Sequence, residues 1–197
     1  MSAKSKTEKT SGRPRSAASE QAILAAAWRL LQQGSVKNVS IEAIAREAGV
    51  GKATIYRWWP SKAAVFVDAF LAKFTPKGAF LETESASEAI IQQMAAVVDV
   101  FSGEAGRIVA EIIAEGQSDP VALESFCDRF LQPRRQAAKA VIERGIQSGE
   151  LASGLNLEVV IDALYGPIYY RLLVKHQPLN DTFAKELSNW ALRCLSR

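Results

Sequence analysis

The chain has few of the residues from which disulfides, metal sites and catalytic sites are built. Its 197 residues include two cysteines, Cys127 and Cys194, and one histidine, His176. The cysteines form no CxxC pair and each falls in an apolar helical pattern, so we expect two buried thiols in a reducing cytoplasm. His176 follows a helical segment and suits the C-terminus of that helix. Without a catalytic constellation, a phosphate loop or metal-ligand spacing, an enzyme has little support, and we expect no cofactor or metal.

Long apolar runs and strand patterns are also missing. No apolar stretch is long enough for a membrane helix, and the first residues lack the core of a signal peptide, so we expect a cytoplasmic protein without a membrane partner. No segment alternates between apolar and polar residues as a half-buried strand does. The hydrophobic content of 48% nevertheless suits a substantial globular core. These features predict an all-α protein.

Positive charge is concentrated at one end of the chain. Up to Pro60 there are ten Lys and Arg against four Glu, a net charge of +6, whereas the remainder carries −3. Such asymmetry suits a nucleic-acid-binding end, although a solvated basic surface explains it equally well. We expect residues 1–16 to be a disordered basic arm, in which Arg13 and Arg15 lie along a DNA backbone or in an adjacent minor groove, or form part of a solvated tail.

Apolar residues at helical spacing divide the rest into helices. The predicted helices cover 17–33, 41–48, 52–58, 62–73, 87–101, 104–117, 120–147, 157–175 and 181–195. Pro133 should kink or break the seventh. We expect a helix-turn-helix head at 17–62, linked through the helix at 62–73 to a larger helical body at 74–197.

The head contains a short helix, a turn and a second short helix. Ser40 is a suitable N-cap for the first helix, and Gly49 can adopt the left-handed conformation that ends it. In the second helix Ile55 and Trp59 are four residues apart and should pack inward. The opposite face can enter a DNA major groove. The alternative is an ordinary surface helix with aromatic residues in the core.

The predicted DNA contacts combine base readout with phosphate binding. Arg57 can bond a guanine, and Ala53 and Thr54 can touch a thymine methyl, whereas Tyr56, Trp58 and Lys62 suit the flanking phosphates. The full predicted set is Arg13, Arg15, Ser40, Lys52, Ala53, Thr54, Tyr56, Arg57, Trp58 and Lys62.

Three segments of the head resemble the N-terminal domain of TetR-type transcriptional regulators. The matching segments are IEAIAREAGV at 41–50, KATIYR at 52–57 and SK at 61–62. The resemblance implies a homodimer that binds a (pseudo)palindromic operator, usually as a repressor, and leaves DNA when a small effector binds. It implies phosphate contacts at Tyr56 and Lys62 and sequence readout at positions 52, 53, 54 and 57. Trp58-Trp59 departs from the family, which commonly has His or Tyr followed by Phe, and leaves the role of Trp58 open.

The helix predicted at 157–175 is apolar on nearly all sides and must be covered all round. With the helix at 181–195 it can form a four-helix bundle between two subunits, as the family implies, or an intramolecular core. The segment LYGPIYYR at 164–171 resembles part of the C-terminal domain of one TetR subgroup. The predicted dimer residues are Leu164, Ile168, Leu172, Phe183, Leu187 and Trp190.

An effector pocket in the body would have a largely apolar lining, although aromatic and Met residues at helical spacing also form ordinary cores. The predicted lining residues are Phe66, Phe70, Met94, Val98, Phe101, Ile108, Ile112, Phe126, Phe130 and Tyr165. Arg107, Glu111, Glu115 and Arg129 could anchor a ligand or form a solvated face. The helix at 62–73 should couple pocket to head. A small-molecule sink or protein-interaction module is the remaining alternative, but neither needs the polar face of the second helix.

Overall fold

The computed structural model describes residues 17–74 and 85–196, and within these ranges every regular element is helical. Arg13, Arg15 and the rest of the expected basic arm lie outside the described residues. The elements are α1 (Ala17–Gln33), α2 (Ile41–Ala48), α3 (Lys52–Tyr56), α4 (Lys62–Phe74), α5 (Ala86–Ser102), α6 (Glu104–Gly116), α7 (Pro120–Phe126), a π-helical segment (Cys127–Leu131), α8 (Gln132–Ser148), α9 (Leu157–Val174) and α10 (Asp181–Leu195). The predicted all-α architecture is confirmed.

The head consists of α1, α2 and α3 around a small apolar core, with α4 packed on α1. Its helix boundaries follow from local chemistry. The hydroxyl of Ser40 accepts the N–H of Ala43 over 3.2 Å, and the hydroxyl of Ser61 accepts that of Ala64 over 3.1 Å, so each satisfies a donor at the start of a helix. Gly49 ends α2 at a φ of 66°, a conformation that favours glycine.

The second helix of the predicted helix-turn-helix, α3, is shorter than predicted: it ends at Tyr56 rather than near Trp58. The N–H groups of Trp58 and Trp59 both donate to the carbonyl oxygen of Ile55, over 2.9 and 3.0 Å. This tight turn precedes Pro60, which lacks the N–H needed to continue a helix. The turn brings Trp59 into the core beside Ile55, as predicted, and both side chains are buried.

The body contains α5 to α10, and its unusual feature is the π-helical segment before α8. The N–H of Gln132 donates to the carbonyl oxygen of Cys127, five residues earlier. Pro133 follows at once, so the interruption expected there takes the form of a wider helical turn rather than a break. Segments of this kind are rare in proteins, and those that occur often lie at functional sites.

No helix in the described ranges is long and apolar enough to cross a membrane. The prediction that both cysteines are buried is wrong for Cys194, which is exposed, whereas Cys127 is half-buried. Cys194 lies on the flank of α10 that also carries the exposed Trp190, and the residues of α10 that enter the core include Phe183, Leu187 and Ala191.

Candidate nucleic-acid interface and body cavity

The outer face of α3 is a polar surface held by the buried side of the same helix. Ile55 anchors α3 in the head core, and on the other side Lys52, Ala53 and Arg57 are exposed. Tyr56 is 55% exposed although it is a large aromatic residue. The head therefore presents ammonium, guanidinium and phenol groups on one short helix, which is the chemistry that base edges and phosphates require.

Lys52 makes an ion pair with Glu42 of α2, with 3.0 Å between Nζ and Oε1. Hydrogen bonding to Glu42 raises the pKa of Lys52, and the same bond lowers the pKa of Glu42. Both side chains are more than half exposed, so the pair is solvent-screened and a phosphate can replace its carboxylate at little cost.

The two tryptophans after α3 have different positions. Their rings stack with 5.5 Å between centroids, and the indole N–H of Trp59 donates to Oδ2 of Asp68 in α4 over 2.7 Å. Trp58 is half-buried, and its Nε1 is enclosed by protein rather than presented at the flank of the surface. In this arrangement its indole N–H is not positioned to donate to a DNA phosphate, contrary to the expectation from the sequence.

Lys62 and Ser40, also predicted at the DNA, have partners within the protein. The ammonium of Lys62 donates to the carbonyl oxygen of Val36 over 3.2 Å and lies 3.7 Å from a carboxylate oxygen of Glu115. A phosphate contact by Lys62 would therefore compete with these two bonds. Ser40 caps α2 through its hydroxyl oxygen. It nevertheless remains exposed at the start of that helix, where a phosphate can reach it.

Comparison with known proteins agrees with this geometry. Residues 23–69 match the family model described as bacterial regulatory proteins, tetR family. Residues 81–189, more than half of the chain, match the tetracyclin repressor-like, C-terminal domain. The chain belongs to the TetR family of transcriptional regulators.

Individual TetR-family relatives extend over nearly the whole chain. The HTH-type transcriptional regulator YdeS of Bacillus subtilis is 41% identical over 176 residues, which cover 89% of either chain. The crystal structure of the TetR family regulator SCO0332 superposes with a TM-score of 0.79 at 27% identity and covers 91% of this chain and 99% of its own. RolR in complex with resorcinol shares the fold at 16% identity, with a TM-score of 0.63 and coverage of 90% of this chain and 87% of its own.

The body and α4 form a partly open cavity of about 430 Å³, within the size range of small-molecule sites. Five of the ten predicted lining residues line it, namely Phe70, Phe101, Phe126, Phe130 and Tyr165. The other five fill the core and do not reach the cavity, namely Phe66, Met94, Val98, Ile108 and Ile112. Periodicity identified the apolar faces but not which of their residues border the empty space.

Of the polar lining residues, only Tyr165 was predicted. Those that were missed include Gln93, Arg134, Arg135 and Asp162. Burial raises the pKa of Tyr165 to about 12, although a hydrogen bond with Gln93 opposes the shift, so its phenol stays protonated at neutral pH. Arg135 is paired with two carboxylates of α9, Asp162 and Glu158.

One sequence signal could have found Arg134. It lies four residues after Phe130, which in turn lies four after Phe126, and all three line the cavity. Extending the predicted apolar face by one turn leads directly to this arginine.

Residues expected as polar ligand anchors lie elsewhere, between body and head. Glu111 of α6 accepts the backbone N–H of Val36 over 2.7 Å, and Arg107 donates to the carbonyl oxygen of Leu31 over 2.7 Å. On the other side of the head, Arg129 of the π-helical segment donates to Oδ2 of Asp68 over 2.7 Å. None of Arg107, Glu111, Glu115 and Arg129 lines the cavity.

The predicted dimer residues are mostly inside the protomer. Leu164, Ile168, Leu172, Phe183 and Leu187 are buried in the core of the single chain, and Trp190 is exposed. The apolar residues that α9 does expose lie on its opposite face, at a spacing of three and four residues. We call this face the α9 stripe; it consists of Val159, Ala163, Gly166, Tyr170, Leu173 and Val174. Two of its members, Gly166 and Leu173, also line the cavity, so the stripe borders the cavity on one side.

Proposed function

We propose that this chain is a homodimeric repressor that binds a (pseudo)palindromic operator and is released by a small, largely apolar effector. The observation that carries the proposal is the outer face of α3, where Lys52, Ala53, Tyr56 and Arg57 are exposed. Thr54 is half-buried and lies between them. Lys52 and Arg57 supply donors for base edges or phosphates, and Tyr56 supplies a hydroxyl for the backbone.

A second copy of the chain supports symmetric operator binding because it supplies the second recognition helix. The α9 stripe suits such a copy: Val159 is 61% exposed and Tyr170 is 59% exposed, although α9 is otherwise the most apolar helix of the body. Ala163 and Gly166 in the middle of the stripe are small and exposed, so they allow the close approach of another helix. We propose the α9 stripe and Trp190 of α10 as the dimer surface, in place of the buried residues of those helices.

Release requires that the cavity and the head be coupled. The π-helical segment contributes Cys127, Phe130 and Leu131 to the cavity, and its Arg129 holds Asp68 of α4. Asp68 in turn holds Trp59, directly after the recognition helix. An effector that shifts the π-helical segment therefore acts on the position of α3 through two hydrogen bonds. Such a ligand disfavours the conformer in which both recognition helices reach successive major grooves.

The experiment that tests DNA recognition compares two arginine variants on an operator selected from random duplexes. Arg57→Ala should weaken operator binding by about 1–3 kcal/mol and relax base preference at one position per half-site. Arg144→Ala is the matched control, because it removes the same charge from an exposed position of α8 in the body. Equal affinities of Arg57→Ala and the unaltered protein would contradict the proposal.

A further inference from the structure

One cationic side chain of the cavity, that of Arg134, has no carboxylate partner within the part of the chain that the structure describes. Among the lining residues that the structure describes, Arg135 and Asp162 form an ion pair, whereas no carboxylate of the described chain pairs with Arg134. The hydrogen bond of Arg134 goes from Nη1 to the carbonyl oxygen of Phe130, over 3.0 Å, in the preceding turn of its own helical segment. A guanidinium has five N–H donors, so most of its donor capacity is available to a ligand.

The guanidinium of Arg134 is held in place by the cavity wall. Its Cζ lies 4.0 Å from the ring centroid of Phe130, which lines the same cavity, and this cation–π contact favours its position there. Burial lowers the pKa of Arg134, and the nearby phenols of Tyr169 and Tyr165 counteract the shift. Arginine nevertheless keeps its charge at neutral pH.

A partly buried charge without a counterion is costly in an apolar cavity, and an anionic ligand removes that cost. The remaining lining is apolar and aromatic, with Phe70, Phe101 and Phe126 among its members. A fully polar anion would leave this apolar surface uncovered, and a neutral apolar molecule would leave the guanidinium unpaired. A cation would be repelled.

We propose that the cavity binds an amphipathic organic acid, with its acidic group on Arg134 and its hydrocarbon or aromatic part against the phenylalanines. The inference rests on the proposed function, in that it assigns a chemical class to the effector of the same cavity. Arginine and a carboxylate or sulfonate can form two parallel hydrogen bonds, which give orientation as well as affinity. The cavity volume of about 430 Å³ suits one molecule of moderate size.

Two fluorescent probes test the proposal because they differ only in the acidic group. 8-Anilinonaphthalene-1-sulfonate carries a sulfonate on a phenyl-naphthylamine frame, and N-phenyl-1-naphthylamine is the same frame without it. Titrated into the full-length protein, the sulfonate should bind more tightly than the neutral probe. Arg134→Gln should weaken binding of the sulfonate roughly tenfold and leave the neutral probe nearly unchanged.

Two further variants make the result specific. Arg134→Lys should retain part of the preference for the sulfonate, because the charge remains but the bidentate geometry is lost. Arg144→Gln removes a charge from the exposed part of the same helix and should leave the ratio of the two affinities unchanged. Circular dichroism of each variant verifies the fold.

The proposal is overturned if Arg134→Gln leaves sulfonate binding unchanged, if the unaltered protein binds both probes equally, or if neither probe binds. Operator binding by the same preparations is measured without probe. If the protein does not bind DNA but binds the sulfonate through Arg134, the proposed function is refuted and the proposed ligand class is not affected. Loss of the Arg134 effect in a protein that binds its operator would refute only the ligand class.

Discussion

Arg129 and Trp59 donate hydrogen bonds to the same carboxylate oxygen, Oδ2 of Asp68, each over 2.7 Å. Arg129 belongs to the π-helical segment beside the cavity, and Trp59 follows the recognition helix. The shared oxygen places one acceptor between the segment of the body that lines the cavity and the turn of the head that follows α3. The ion pair is about one-third exposed at Arg129 and one-quarter exposed at Asp68, so solvent screens it in part.

A double-mutant cycle measures whether the pair acts as a unit. Asp68→Asn keeps a carbonyl oxygen for Trp59 but loses the charge that holds Arg129, and we expect the free energy of unfolding to fall by about 1 kcal/mol. Arg129→Gln should have a similar effect. The double variant should lose less than the sum of both, with a coupling of about 0.5–1.5 kcal/mol. Urea unfolding followed by circular dichroism gives the four free energies.

The exposed pair of Arg29 and Glu47, at 3.0 Å, is the control for this cycle. Its two side chains are about half exposed, so its coupling should be within a few tenths of a kcal/mol of zero. Additive effects at Asp68 and Arg129 would show that the shared oxygen does not couple the π-helical segment to the head.

Charge placed on the α9 stripe should separate the two protomers. In a two-fold symmetric dimer each substitution occurs twice, so Tyr170→Glu introduces two carboxylates into an apolar contact. We expect the dimer dissociation constant to rise by about a hundredfold or more, at an energetic cost of a few kcal/mol. Sedimentation velocity over a concentration series measures the change.

Lys185→Glu is the control for the dimer test, because Lys185 is exposed on the flank of α10 away from Trp190. It should leave the association state unchanged. If the unaltered protein is monomeric, there is no dimer surface. If the Tyr170→Glu variant stays dimeric with a native circular dichroism spectrum, the dimer surface lies elsewhere.

Glu150 should make stability depend on pH in the acid range. It accepts the backbone N–H groups of Ser87 and Ala86 and the hydroxyl of Ser85 at the start of α5. These bonds, the one from Ser87 foremost, lower the pKa of Glu150 from 4.5 to about 2. A depressed pKa in the folded state means that the carboxylate stabilises the protein above pH 4.5 and loses this effect as the pH falls towards 2.

Glu150→Gln should therefore lower the free energy of unfolding at pH 7 by about 1 kcal/mol, after allowance for solvent screening. The difference between the two proteins should shrink between pH 4.5 and 2, where the glutamate itself becomes protonated. Urea titrations at pH 7 and pH 3 measure it. A difference that is the same at both values would show that the charge of Glu150 has no part in holding α5.

The sequence was most informative where a local signal determines structure. Ser40, Gly49 and Ser61 define their helix ends within a few residues, and the inward positions of Ile55 and Trp59 follow from their spacing. The same spacing could not orient α9, because a helix that is apolar on nearly all sides has no polar face to mark solvent. The buried side of α9 was therefore taken as the dimer surface, although it faces its own core.

Long-range pairs had no signal in the sequence. Arg129 and Asp68 are 61 residues apart, and Arg107 reaches a carbonyl group 76 residues away. Such contacts depend on how the helices pack, so the sequence offered only two interpretations of these charged residues, as ligand anchors or as a solvated face, and not their role in joining head and body. The sequence also contained no sign of the half-buried position of Trp58. Its stacking on Trp59 depends on the turn that ends α3 early, so Trp58 was predicted to lie at the DNA instead.

The most direct test of the account is selection of bound duplexes from a random DNA library by the purified full-length protein. The account predicts enrichment of a palindrome whose half-sites lie about one helical turn, or a multiple of it, apart. Sequencing of the bound pool, with Arg57→Ala and Arg144→Ala selected in parallel, identifies the half-site position that Arg57 reads. A pool without enriched sequence, from a protein that is folded and dimeric, would contradict the claim that the outer face of α3 recognises an operator.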